Sequence, residues 1–147
     1  MAAGSFTVYN IAKEKIVRST IDMDTHTFKV ALVGSNAALS ASFAGTSTNC
    51  QLSDVTQITG TGYTAGGNAT TIAVSRSGGT VTVDTSDTTW TSATITAKGA
   101  ILYDDTAAND DMVGFMDLDT TSGTSTVSSS GGDFTIVWNA SGLFTLT

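Results

Sequence analysis

The sequence predicts a mainly β protein: a single β-sandwich or jelly-roll-like barrel over residues 1–147, with one short N-terminal helix. Three observations point there. Several short runs alternate apolar and polar residues, the period-2 signature of a half-buried strand. Gly, Asn, Ser and Asp clusters separate those runs, as turns require. Thr is the commonest residue, and its branched Cβ suits a pleated surface. A chain of 147 residues is long enough to bury one core without covalent staples.

The first element is the helix, expected from Phe6 to Arg18. Val8, Ile11, Ala12 and Ile16 recur near helical spacing, and Lys13, Glu14 and Lys15 are polar. Ser5 or Thr7 is placed to cap its start, and Arg18 suits the negative end of the helix dipole. Residues 1–20 therefore read as an arm and helix able to dock on a partner, with Ala2 to Tyr9 as the docking element.

An acidic turn, Ile21 to His26, leads into a strand over Thr27 to Gly34. Phe28, Val30 and Leu32 share one face of it, and Lys29, Ala31 and Val33 the other. A short helix is expected around Gln51 to Gln57, then a glycine-rich loop from Gly60 to Gly67. Ile72 to Arg76 and Thr80 to Val83 form a hairpin. A Ser77-Gly78 turn would set Val74 opposite Val81 and Ile72 opposite Val83. A Gly78-Gly79 turn would instead set Arg76 opposite Val81, and the first register is preferred because it pairs apolar residues.

Thr94 to Ala97 is expected to run on through Ala100 to Tyr103 with a bulge at Gly99. Met112 to Met116 is a further strand. Thr120 to Gly132 is Ser/Thr/Gly-rich and reads as an exposed loop. Phe134 to Trp138 alternates, turns through Asn139 to Gly142, and returns as Leu143 to Leu146.

Charge narrows the function. Net charge is −7, with only six Lys and Arg. Nucleic-acid binders cluster cations to neutralise phosphates, so direct nucleic-acid binding is not expected, nor is binding to anionic membranes. No run reaches transmembrane length. Met1 to Ser5 lacks a basic region followed by an apolar stretch, so no secretory signal is expected and synthesis is expected in a cytoplasm. Cys50 is the single cysteine, so no internal disulfide forms.

No constellation for catalysis stands out. His26 is the only histidine; Asp22 or Asp24 could orient it, but no Ser lies in a Gly-x-Ser-x-Gly elbow. His26 reads as decorating a strand start, and Cys50 as a small buried thiol. One His and one Cys cannot build a zinc site. Asp104, Asp105, Asp110 and Asp111, with Asp117 and Asp119 beyond, raise calcium as a question. Their spacing is not an EF-hand, and a solvated acidic loop is the plainer reading. Gly60-Thr61-Gly62 and Gly66-Gly67 precede no Lys-Ser/Thr helix and imply no phosphate cradle. The expectation is therefore no enzyme, no cofactor and no metal. Trp138 alternates with Phe134 and Ile136 and reads as core. Trp90 sits among polar residues and is the better candidate for an exposed contact. Phe6, Val8, Tyr9 and Trp90 are thus the candidate partner-contact residues.

Four segments, in order, resemble a known family. They are Ile21-Asp22-Met23-Asp24-Thr25-His26-Thr27-Phe28-Lys29-Val30-Ala31-Leu32; the Gly60-Thr61-Gly62-Tyr63-Thr64 loop; Trp90 to Asp105, with its Trp-Thr-Ser-Ala-Thr-Ile-Thr-Ala strand and Tyr-Asp-Asp; and Phe134 to Leu146, with Phe-Thr-Ile-x-Trp-Asn-x-x-Gly. Together they resemble small structural proteins of tailed-phage virions. The resemblance implies a virion protein, and the best placement for it is a capsid decoration, or cement, protein on the outside of the particle, with the major capsid protein as partner. It also fits a homo-oligomer, a trimer suiting three-fold positions of a shell. It brings no catalytic residues. Ala37 to Cys50 departs from the pattern and reads as the stretch that adapts to one shell. Two alternatives stand beside it: a tail or head-fibre component, and a carbohydrate-binding adhesion module that uses Trp90.

Overall fold

The strand-forming runs fold as antiparallel ladders. The computed structural model describes residues 4–147. Its elements are β1 (Thr7–Val8), α1 (Asn10–Val17), β2 (Phe28–Val33), β3 (Asn68–Thr70), β4 (Ile72–Ser77), β5 (Thr80–Thr85), β6 (Thr88–Ala97), β7 (Gly99–Asp104), β8 (Asp111–Asp117), β9 (Val127–Ile136) and β10 (Phe144–Leu146). They make a five-stranded sheet in the order β1-β8-β7-β2-β3, a three-stranded sheet β10-β5-β4 and a two-stranded sheet β6-β9. The protein is mainly β and sandwich-like.

The core lies on β2, β7 and β8. Every residue of β7 is buried, as are all of β8 but Asp117 and all of β2 but Lys29. Strands covered on both faces carry apolar runs rather than strict alternation, which is why Ala100-Ile101-Leu102-Tyr103 shows none. α1 packs on β8, and β6 reaches β2 and β3. β6 is exposed on one face and alternates on either side of a phase change between Trp90 and Ala93.

Several expected boundaries shift. The helix begins at Asn10 rather than Phe6, because Thr7 and Val8 pair with Phe115 and Gly114 at the edge of β8. Tyr9 stands as an extended N-cap with no side-chain cap bond, so neither Ser5 nor Thr7 caps. Of the expected docking element, residues 4–9 thus lie against their own chain, and Ala2 and Ala3 fall outside the described residues. The Gln51–Gln57 helix shortens to one 3₁₀ turn, Leu52–Asp54.

The hairpin takes the other register. Ser77 pairs with Thr80, Val74 with Val83 and Arg76 with Val81. Gly78 adopts φ +58. A Ser77-Gly78 turn would ask the left-handed region of a serine, whereas Gly-Gly supplies it without a Cβ penalty. Turn geometry outweighs the second apolar pair.

The expected continuous strand through Gly99 is two strands in two sheets. The break is at Lys98, whose N–H donates to Val33 O at 2.7 Å and whose C=O accepts from Leu118 N at 2.9 Å. A Cβ at Gly99 would meet the Leu39 side chain at 2.6 Å, so glycine lets that leucine close over the break. Within the expected loop, Val127 to Gly132 instead begins β9, paired to β6. The C-terminal segment pairs with β5 rather than folding back on β9.

Candidate functional site

The four candidate contact residues divide between core and surface. Tyr9 is 0% exposed. Its hydroxyl donates to Ala38 O at 2.8 Å, and its ring lies 5.2 Å from Phe115 and 6.2 Å from Phe43. Trp90 is 1% exposed, with ring centroids of Tyr63 at 6.0 Å and Phe134 at 6.2 Å. Neither is a surface contact. Phe6 and Val8 are half-buried; Phe6 packs edge-on to Trp138 at 5.8 Å. Trp138 is in the core, as its alternation implied. Among the described residues the exposed large hydrophobics are Val17, Val74, Val137 and Leu146, and no aromatic ring is among them. The flat aromatic platform that sugar stacking uses is therefore not offered by Trp90.

The acidic segment is internally committed. Asp104, fully buried, has Oδ2 2.6 Å from His26 Nδ1, and its Oδ1 accepts from Thr106 N and Ala107 N. Asp105 pairs with Lys29 at 2.9 Å, and Asp111 with Lys15 at 2.6 Å. Burial, followed by the neighbouring charge of Asp105, pushes the Asp110 carboxyl above its usual range. Among the described residues no three His, Cys, Asp or Glu side chains converge as metal ligands do. His26 is bound to a buried carboxylate rather than free at a strand start. Burial pushes the Cys50 thiol up to about 12, against a lowering by Lys15, so the nucleophilic thiolate is scarce.

Sequence reasoning missed two polar centres. Lys98 is 1% exposed; its Nζ donates to Asp117 Oδ1 at 2.5 Å and to Asp119 O at 2.7 Å. It ties the β6–β7 break to the end of β8. The second is Asp54, which organises the loop before it. Its carboxylate accepts from Ser47 N, Ser47 Oγ and Gln51 N. Burial raises its carboxyl, but these hydrogen bonds together outweigh burial and hold it below the usual range. A Ser-x-x-x-x-x-x-Asp spacing in a low-motif stretch gave no signal for either bond.

The outer face of β6 and β9 is lined by hydroxyls. Thr89, Thr91, Ser92, Thr94 and Thr96 are exposed on β6, and Ser128, Ser130 and Thr135 on β9. Hydroxyls pair across the strands, Thr89 with Thr135 at 2.9 Å and Thr96 with Ser128 at 2.8 Å. Asp133 is the single charge among the residues of the two strands. A face of this kind carries weakly hydrated neutral groups whose desolvation on contact is cheap beside that of charges. No helix among the described residues is long and apolar enough to cross a membrane. Compared with family models, with curated proteins and with solved structures, the chain matches none.

Proposed function

We propose that this protein is a non-enzymatic structural component of a tailed-phage virion, a decoration protein that binds the exterior of the shell built by the major capsid protein and stabilises it. The observation that carries the reading is how the four resembling segments meet. Tyr63 from the Gly60–Thr64 loop donates its hydroxyl to Gln57 and accepts from Leu32 N at 3.1 Å. Its ring lies on Trp90, and Trp90 lies on Phe134. Tyr103 donates to Gly66 O at 2.7 Å. The aromatic residues of these segments thus form a packing set, and this supports a family whose common property is architecture.

The hydroxyl-lined β6–β9 face supports the same reading. Docking at many equivalent shell positions works through modest interfaces whose effect is multiplied by copy number. The net charge of −7 argues for an outer position, away from packaged nucleic acid.

The test is rebinding. Purified protein is added to shells lacking it, and the shells are heated. Saturable binding in hundreds of copies, with a higher shell melting temperature, is the expected result. Absence of binding overturns the reading, and a stoichiometry of a few copies per particle moves the protein to the tail or neck.

A further inference from the structure

The three-stranded sheet ends on an unguarded edge. β4 is its outer strand, and all of β4 but Ile72 is exposed. Edge strands are ordinarily blunted by proline, bulges or charge. The chain has no proline, the β4–β5 ladder runs through six pairs without a register shift, and Arg76 is the only charge on β4.

The hairpin fixes which backbone groups are free. Ser77 and Thr80 flank the two-residue turn and exchange hydrogen bonds across it. Alternation then aims the N–H and C=O of Ser75 and Ala73 at β5, and those of Ile72, Val74 and Arg76 away from it. Those same three side chains share a face with Val81, Val83, Phe144 and Leu146, the rows being Phe144-Val83-Val74 and Leu146-Val81-Arg76. Val83 is 3% exposed, whereas Val74 at the edge is 43% exposed. An apolar row therefore begins in the core and runs out, uncovered, at a strand edge.

We infer that β4 is a self-association edge, which a second copy of this chain covers by antiparallel β4-to-β4 pairing about a two-fold axis at Val74. The self-complementarity argues for a copy rather than another partner. With Val74 on the copy's Val74, Ile72 falls on the copy's Arg76, and every outward N–H and C=O of the three residues finds a partner. The apolar row becomes continuous, Phe144-Val83-Val74 meeting the same three in reverse. Moving the axis to Arg76 would bring two guanidinium groups together and leave the apolar row unpaired, so charge selects the register. The contact is isologous and closes as a dimer, which differs from the three-fold ring expected from shell geometry. It is independent of the virion reading.

Cross-linking and sedimentation test it. Across a hydrogen-bonded antiparallel pair the Cα atoms are about 5.5 Å apart, inside disulfide range. Val74→Cys therefore gives a disulfide-linked dimer under mild oxidation, while Ser75→Cys, displaced from its own copy, associates without forming the disulfide. Cys50 is buried and does not compete. Wild-type protein is expected to move from 15.0 kDa toward twice that mass as concentration rises. Val74→Pro removes an outward N–H without touching the β5 ladder, so it abolishes the shift while circular dichroism and melting stay near wild type. A wild-type monomer throughout the series, a trimer, equal cross-linking at positions 74 and 75, or undiminished association of the Val74→Pro protein overturns the inference.

Discussion

Replacing Trp90 separates a core residue from a ligand platform, and its size follows from the packing. Trp90 is 1% exposed and lies between Tyr63 and Phe134. Truncation to alanine removes the transfer free energy of the indole and leaves a cavity between Phe134, held on β9, and Tyr63, whose hydroxyl is tied to Leu32 and Gln57. Such truncations cost about 3–5 kcal/mol. At a urea m-value of about 2 kcal/mol/M, the midpoint falls by about 2 M. Trp90→Phe behaves differently. The buried indole N–H has no hydrogen-bond partner among the described residues, and an unsatisfied buried donor costs about 1–3 kcal/mol. Phenylalanine removes that cost while losing part of the ring volume, so its stability stays within about 2 kcal/mol of wild type, on the same scales. Urea unfolding followed by far-UV circular dichroism and tryptophan emission measures both. A Trp90→Ala protein as stable as wild type would refute the packing argument.

Three further outcomes follow from the same structure. Gly67 sits at φ +68, where a Cβ would run into the Val30 carbonyl, whereas Gly78 at φ +58 has open space around it. Gly67→Ala should prevent folding or cost well over about 2 kcal/mol, and Gly78→Ala only about 1 kcal/mol, as read by thermal melts. Asp117→Asn replaces the carboxylate paired with the Lys98 ammonium, 1% exposed, by a neutral amide; the loss should approach about 3 kcal/mol and exceed that of Lys98→Met. Asp54 has a carboxyl held low by its hydrogen bonds, despite burial. A lowered folded-state pKa gives stability that is present above the unfolded carboxylate pKa and lost as pH falls through the folded value. Stability measured from neutral pH downward should thus decline in that acid window, and Asp54→Asn should flatten the decline.

Periodicity made much of the fold legible. β2, the β4–β5 pair, β8 and the Phe134–Ile136 end of β9 could be read from their own residues, because each run carries its pattern locally. What periodicity does not carry is the identity of a strand's neighbour. The C-terminal segment looked like the return arm of a hairpin, yet its partner is β5, some sixty residues earlier by the register Phe144 to Val83. Ser128 and Ser129 looked like loop because their strand character comes from pairing with Thr96 and Ile95 rather than from propensity. Lys98 and Asp54 were invisible for a related reason. Their partners Asp117 and Ser47 are chosen by the fold, and a lone lysine or aspartate in a sequence reads as solvated.

Trp90 was misread through a single residue. In Thr88 to Ala97 a strict period of two places Trp90 with Ser92, Thr94 and Thr96, the polar set, and opposite Ala93, Ile95 and Ala97. The observed burial runs Thr88, Trp90, then Ala93, Ile95 and Ala97, so the phase changes between Trp90 and Ala93. The register with β9 shifts at that point. Ser92 takes φ +50 there, and its N–H donates to Asp133 Oδ1 at 3.1 Å. An inserted residue of this kind rotates one half of a strand relative to the other, and here it turns Trp90 inward. The bulge therefore decides two things together. It places the indole in the aromatic stack that joins three of the resembling segments, and it leaves the outer face of β6 to hydroxyls alone. A strand without it would display a tryptophan among threonines; with it, the same ten residues make a core on one side and a face of exposed hydroxyls on the other.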